Sequence, residues 1–486
     1  MTAEAAAGTR SDSPGASRTE GRARRGGRWI ERWEPEDEGF WRETGERIAR
    51  RNLAFSVLSE HIGFSVWSLW SVMVLFMGPE YGIDPAGKFF LVAIPTLVGG
   101  VLRVPYTFAV ALFGGRNWTV ISALLLLVPT AAAAVVMHPG TSYTTFILVA
   151  MVAGVGGGNF ASSMTNINSF FPLRKKGFAL GLNAGGGNIG VPVIQLLGLL
   201  VIGTAGAGHP RLVLAVYVPL IVLAAVLAAL FMDNLAPVTH DTGAALDAAR
   251  QPHTWVMSLL YIGTFGSFIG YSFAFGLVLQ NQFARTPLQA ASLTFVGPLL
   301  GSLLRPVGGR QADRFGGARI TLGTFAAMGL ATGVVIRASA DHSLPVFLVG
   351  FFALFVLSGL GNGSTYKMIP GIFQAQALRR GLAGEAAAAY GRRLSGAAMG
   401  LIGAVGALGG LAINLAFRQA FLTAGSGTPA FVSFLVCYAV CAAVTWAVYL
   451  RPAARERRAA RAGAAGAAGA AGAAAEGERR AVHAEV

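Results

Sequence analysis

Apolar runs of about 20 residues recur along this chain, and nothing else in the sequence limits its fold so strongly. A helix rises 1.5 Å per residue, so each run is long enough to cross the roughly 30 Å hydrocarbon layer of a bilayer. Lipid offers no hydrogen-bond partners to the backbone, which leaves few alternatives to helices. The composition agrees: 54% of residues are hydrophobic and only 13% charged, where soluble domains carry about a quarter charged residues.

The spans are predicted at 52–77, 89–112, 117–137, 143–171, 177–203, 211–233, 254–280, 289–312, 318–338, 344–371, 394–420 and 428–450. The chain before Arg51 is polar, with Arg22, Arg24, Arg25 and Arg28 among Gly and Ser, and lacks the apolar core of a cleavable signal peptide. Its start is therefore expected in the cytoplasm. With that orientation, inner connections receive Arg116, then Arg174, Lys175 and Lys176, then Arg250, then Arg310, Arg314 and Arg319, then Arg379, Arg380, Arg392 and Arg393. Outer connections hold only Lys88, Arg211, Arg285, Arg337 and Arg418. This asymmetry follows the positive-inside rule and predicts an even number of spans in the inner (plasma) membrane, with both termini cytoplasmic. The formal net charge of +15 is thereby a matter of topology and not of nucleic-acid binding.

The longest polar interruption, Asp233 to Gln251, divides the spans six and six. A repeat supports the division. Leu102-Arg103 followed by Phe113-Gly114-Gly115 matches Leu304-Arg305 followed by Phe315-Gly316-Gly317, displaced by 202 residues. Gly158-Asn159 matches Gly361-Asn362 at a displacement of 203. The expected fold is thus all-α: a polytopic membrane protein of twelve transmembrane helices in two pseudo-symmetric six-helix bundles. Residues 1–50 form a polar arm, 51–234 the first bundle, 235–253 a linker, 254–451 the second bundle, and 452–486 a disordered Ala/Gly/Arg-rich tail. The two cysteines, Cys437 and Cys441, are too few for a disulfide framework or a four-ligand metal site, and read as packing residues.

Arg103 and Arg305 fall near the middle of the second and eighth spans. A charge at that depth costs at least roughly 2.5–3.5 kcal/mol on insertion scales, so each should face a polar cavity. A local ion pair or a snorkelled side chain is the bland alternative. No acid lies near either arginine in sequence, the depth discourages snorkelling, and the repeat duplicates the feature. Two converging guanidinium groups make an anion site, and their planar paired donors suit a flat oxyanion better than lysine would. Glycine runs on the fourth and fifth spans allow close helix contact, and the amides of Asn159, Asn183 and Asn188 within those runs need partners that a bound oxyanion can supply. No strand-turn-helix context accompanies these glycines, so a dinucleotide site is rejected. Nothing in the sequence supplies metal-ligand spacing or a nucleophile–base pair, and neither an enzyme nor a cofactor is expected.

The turn Gly308-Gly-Arg-Gln-Ala-Asp313-Arg314-Phe-Gly-Gly resembles the loop motif of the major facilitator superfamily, in which Asp313 would be a gating or structural residue rather than a transport ligand. The first-half copy, Phe113-Gly-Gly-Arg116-Asn117, lacks the acid. The segments Gly-Gly-Gly-Asn159-Phe-Ala-Ser-Ser-Met-Thr-Asn166-Ile and Lys176-Gly-Phe-Ala-Leu-Gly-Leu-Asn-Ala-Gly-Gly-Gly-Asn188-Ile-Gly-Val, with Leu-Leu-Tyr261-Ile-Gly-Thr-Phe265, Gly297-Pro-Leu-Leu-Gly-Ser-Leu-Leu-Arg305 and Gly359-Leu-Gly-Asn362-Gly-Ser, resemble the nitrate/nitrite porter family of the NarK type. The resemblance implies that Arg103 and Arg305 clamp nitrate or nitrite, that Phe160 and Phe265 pack against the anion's flat faces, and that Asn188 and Tyr261 add hydrogen bonds. It also implies that Gly185, Gly187, Gly403 and Gly406 permit helix sliding during gating.

The expected activity is alternating-access transport by a monomer, with nitrate entering in exchange for nitrite. Proton symport is the alternative, with Glu60, His61 and Lys367 as candidate titrating groups. A non-transporting anion sensor, or a carrier of organic drugs, stands as a reading of another class.

Overall fold

The computed structural model describes residues 28–236 and 242–451; the expected disorder of 452–486, the arm residues 1–27 and the linker residues 237–241 lie outside them. Long helices carry nearly all of the described chain. We label them α1 (Glu46–Trp67, continued past a kink at Ser68 by Leu69–Met73), α2 (Pro85–Phe113), α3 (Gly115–Val136), α4 (Tyr143–Phe170), α5 (Arg174–Ala205), α6 (Arg211–Phe231), α7 (Pro252–Phe283), α8 (Pro287–Phe315), α9 (Gly317–Ala340), α10 (Leu344–Arg379), α11 (Ala386–Ala424) and α12 (Thr428–Leu450). Helices α2 to α12, eleven among the described residues, are long and apolar enough to cross a membrane.

Helix α1 coincides with the first expected span, yet it is not one of those eleven. Its sequence explains why, since Asn52, Ser56, Ser59, Glu60, Ser65, Ser68 and Ser71 are all buried against protein and not against lipid. Local structure extends into both polar segments that flank the first bundle. In the polar arm, helical turns begin at Glu38 and run into α1. The linker at 235–253 also has structure: Thr242–Ala249 is a short helix, and Asn234–Leu235 pairs as a parallel strand with Trp29–Ile30. Helices α10 and α11 run on past 371 and start before 394, so they project beyond the expected bilayer boundary.

These polar junctions tie down the first bundle at the end that bears the basic loops. Arg51 reaches Asp233 at 2.6 Å, Asn52 donates to the same carboxylate at 2.8 Å, and Lys175 pairs with Glu46 at 2.8 Å. Trp33 packs edge-on to Phe170, and Trp41 lies against Phe171.

Glycine sets how closely the helices cross. A Cβ on Gly157 of α4 would lie 2.7 Å from the Gly99 Cα of α2, and one on Gly359 of α10 would lie 2.8 Å from the Gly301 Cα of α8. Each pair is backbone against backbone, which only glycine allows. Gly99 and Gly301 are separated by 202 residues, as are Gly157 and Gly359, so both halves repeat one crossing. Arg103 and Arg305 follow one helical turn after Gly99 and Gly301. This places the register of the second repeat at 202 and not 203, so that Asn362 corresponds to Phe160 and Gly361 to Asn159, a correction to the alignment read from the sequence.

The halves meet along α2 with α11 and α5 with α8, an arrangement related by the same pseudo-twofold exchange. Aromatic contacts close the end remote from the basic loops: Phe89 stacks on Phe417 and Phe421 at 5.4 and 5.1 Å, and Trp67 meets Phe273 at 5.6 Å. Buried Gln195 of α5 donates to the Ser272 carbonyl of α7 at 2.8 Å across the same seam.

Candidate functional site: a paired-arginine centre

The two repeat arginines both turn inward. Arg103 is 1% exposed and Arg305 5%, and neither lies within ion-pair distance of a carboxylate among the described residues. Two buried cations without counter-ions are costly, so their remaining partners are informative.

Arg103 is held rigidly. Its Nε donates to the Gly157 carbonyl at 3.2 Å, the carbonyl exposed by the glycine crossing, and its Nη1 donates to the Gly403 carbonyl of α11 at 2.5 Å. Three rings surround its Cζ: Phe160 at 4.5 Å, Phe265 at 5.0 Å and Trp67 at 5.4 Å. Nη2 has no partner. Arg305 has fewer ties. Its Nη2 donates to the Tyr261 hydroxyl at 3.1 Å, its Cζ lies 5.8 Å from the Tyr366 ring, and Nη1 is left without a partner. Each guanidinium therefore retains one buried N–H nitrogen that no protein atom satisfies, an arrangement that calls for an acceptor.

Phe160 and Phe265 face each other across the two halves with centroids 6.1 Å apart and planes 28° from parallel. Phe265 in turn stacks on Tyr261 at 5.1 Å and 7°. A π-helical turn over Ile262–Gly266 carries Phe265, shifting the helical register of α7 just where the ring meets the arginine. Thus Arg103, Arg305, Phe160, Tyr261 and Phe265 are brought together.

The asparagines divide. Asn188 is fully buried with both amide atoms unpartnered, and the Oδ1 of Asn159 is likewise unsatisfied, Asn159 lying against Gly63 of α1. Asn183 instead gives its amide to Glu60 at 2.6 Å and to Ser163 at 2.8 Å. Glu60, one of the candidate titrating groups, is wholly buried and forms no ion pair among the described residues; Ser163 and Asn183 donate to its Oε2 while Oε1 has no partner. It lies within electrostatic reach of both Arg305 and Arg103. Sequence distance concealed this acid, because α1 must cross α4 and α5 before it approaches the arginines.

Of the glycines expected to gate, Gly403 supplies its carbonyl to Arg103. Gly406 packs on Tyr261, Gly187 packs on the Glu60 side chain, and Gly185 has open space where a Cβ would point. Asp313 forms an exposed ion pair with Lys367 at 3.0 Å, which occupies one of the candidate titrating groups. Another, His61, sits with Nδ1 3.3 Å from the Gly186 carbonyl. Sequence reasoning missed Trp67 and Tyr366, whose rings lie beside the two guanidiniums; no local motif announces either.

Comparison with known proteins adds an independent measure. The sequence pattern of the Major Facilitator Superfamily matches residues 55–411. The chain is 38% identical over 449 residues to the nitrate/nitrite transporter NarU of Salmonella typhimurium, covering 87% of this chain and 97% of that protein. It is 32% identical over 461 residues to the probable nitrate/nitrite antiporter NarK2 of Thermus thermophilus, covering 88% and 98%. In fold it is similar to the crystal structure of a D-xylose-proton symporter, with a TM-score of 0.61 over 82% of this chain and 97% of that one, at 13% identity.

Proposed function

This chain belongs to the nitrate/nitrite transporter family of the major facilitator superfamily, membrane carriers and not enzymes, and on that premise we propose that it carries nitrate inward in exchange for nitrite. The observation that carries the reading is the pair of buried guanidiniums, one from each half, each with an unsatisfied N–H nitrogen and no ion-paired carboxylate among the described residues. A small flat monoanion satisfies both donors at once and fits the aromatic walls of Phe160 and Phe265. Both arginines come from one chain, so a monomer suffices. The charge asymmetry of the loops supports a cytoplasmic position for both ends of the helical region.

Exchange follows from the charge. As the two halves rock about the pair, an empty site must bring two cations together in a low-dielectric interior, which opposes its reorientation. An anion from either side relieves that repulsion. In proteoliposomes, nitrate uptake should be fast when the lumen holds nitrite or nitrate and near background when it holds neither. Equal rates from loaded and empty vesicles would remove the exchange reading.

Glu60 favours a second reading, proton symport. It is buried with one oxygen unpartnered and in electrostatic reach of both arginines, so a proton on it changes the charge of the site. Under this reading an imposed inward proton gradient drives nitrate into empty vesicles, and Glu60→Gln abolishes that uptake while leaving counterflow intact. Gradient-insensitive uptake in the unsubstituted protein would eliminate it.

A further inference from the structure

The second half contains a buried polar side chain that none of these roles uses. Asn362 of α10 is 1% exposed, and neither its Nδ2 nor its Oδ1 has a partner. A fully unpaired amide in an apolar helix bundle is costly and rarely survives without something to bond.

Its direction follows from its helical neighbours. Gly359 and Gly363, one turn apart, both abut α8: a Cβ on the first would meet Gly301 and on the second Gly309. On another side, Gly361 abuts Thr264 of α7 and Thr324 of α9, and Ser364 bonds Thr321 of α9 at 2.9 Å. Residues advance about 100° each around a helix, so Asn362 lies between the α7 and α8 directions, about 40° from Tyr366. Tyr366 is the ring beside Arg305 and Tyr261. Asn362 stands one turn before Tyr366 on α10, and because α7 runs antiparallel this is the same side of the centre as Phe265, one turn after Tyr261. The repeat supports the same placement, since the shared glycine crossing makes Asn362 the counterpart of Phe160, which lies over the guanidinium of the first half. Where the first half presents a ring face to the centre, the second presents an amide.

We infer that Asn362 is a binding and specificity-determining residue whose Nδ2 donates to the transported oxyanion, favouring a trigonal three-oxygen anion over a bent two-oxygen one. The inference rests on the nitrate/nitrite reading. The open Arg103 Nη2 and Arg305 Nη1 supply two donors, enough for two oxygens. A third oxygen requires a further donor; the resemblance already draws Asn188 of the first half and Tyr261 to the anion, and Asn362 is the unpartnered amide that the second half adds between the α7 and α8 directions.

The test uses the full-length chain in proteoliposomes, with Asn362→Leu, which keeps the volume and removes the amide, and Asn362→Ala as the second variant should the first fail to reach the membrane. Counterflow rates over a range of labelled nitrate and, separately, nitrite give KM and maximal rate for each. Loss of a hydrogen bond to a charged ligand should raise the nitrate KM about tenfold or more while the nitrite KM moves by less than about threefold. In detergent, nitrate should lose its stabilisation of the variant against heat, and nitrite should keep its own. An equal rise for both anions would make Asn362 a packing residue, and unchanged KM values for both would mean that its amide faces water only; either overturns the inference and leaves the nitrate reading standing. Counterflow of neither anion by the unsubstituted protein would overturn that reading, and this inference with it.

Discussion

The two halves deliver the same side chain to the same depth but hold it differently. Arg103 is fixed by the Gly157 and Gly403 carbonyls and enclosed by Trp67, Phe160 and Phe265. Arg305 has a tyrosine hydroxyl and one more distant ring. Because Gly403 belongs to α11, Arg103 also binds its own half to the opposite one, whereas both ties of Arg305 stay within the second half. Under the proposed function the contrast is a division of work, with Arg103 a fixed anchor that is structurally part of the half-to-half seam and Arg305 the more freely aimed donor.

Lysine at either position offers the sharpest way to break this comparison. Lysine keeps the charge but cannot form the planar paired bonds, so Arg103→Lys and Arg305→Lys should each reduce counterflow by at least about a hundredfold. The difference should appear in stability. Arg103→Lys forfeits two carbonyl bonds and three ring contacts, and its melting temperature in detergent should fall by several degrees, while Arg305→Lys should melt near the unsubstituted protein. Equal melting temperatures would end the distinction between anchor and aimed donor, and retained flux in either variant would mean that this guanidinium does not clamp the anion.

A second comparison acts on the glycine crossings. Gly157→Ala and Gly359→Ala each force a methyl into a facing Cα, at 2.7 and 2.8 Å, and should each destabilise by about 1–3 kcal/mol. Only Gly157 gives its carbonyl to an arginine, so Gly157→Ala should also depress counterflow well beyond Gly359→Ala after correction for the amount of folded protein. Melting curves and initial rates measured on the same preparations separate the two effects.

Much of this was legible in the sequence, for reasons that also explain what was not. Apolar run length gives the spans because lipid leaves the backbone little choice, and the arginine pair stands out because charge at mid-bilayer is expensive. Helix α1 is less plain, since its lining faces protein and so mixes serines, Asn52 and Glu60 with apolar residues. Repeat detection succeeds on Leu102-Arg103 and Phe113-Gly114-Gly115 but slips by one at Asn159, where identical asparagines attract the alignment more than the glycines that make the crossing. The bond from Asn183 to Glu60, and the rings of Trp67 and Tyr366 beside the arginines, depend on how distant helices cross, which no local pattern encodes.

The smallest expected effect tests how far the asymmetry extends to the loops. Asp313 of α8 pairs with Lys367 of α10, both about half exposed, and the first half has Ala111 at the corresponding place. An exposed ion pair contributes up to about 1 kcal/mol and is screened by salt. If the pair merely steadies the second half, Asp313→Asn should slow counterflow by less than about fivefold at low ionic strength, and the difference should vanish as salt is raised. A loss comparable with that of the arginine variants, insensitive to salt, would instead mean that this half bears a gate the first half lacks, and that the inequality between the bundles reaches from the centre to the ends that bear the basic loops.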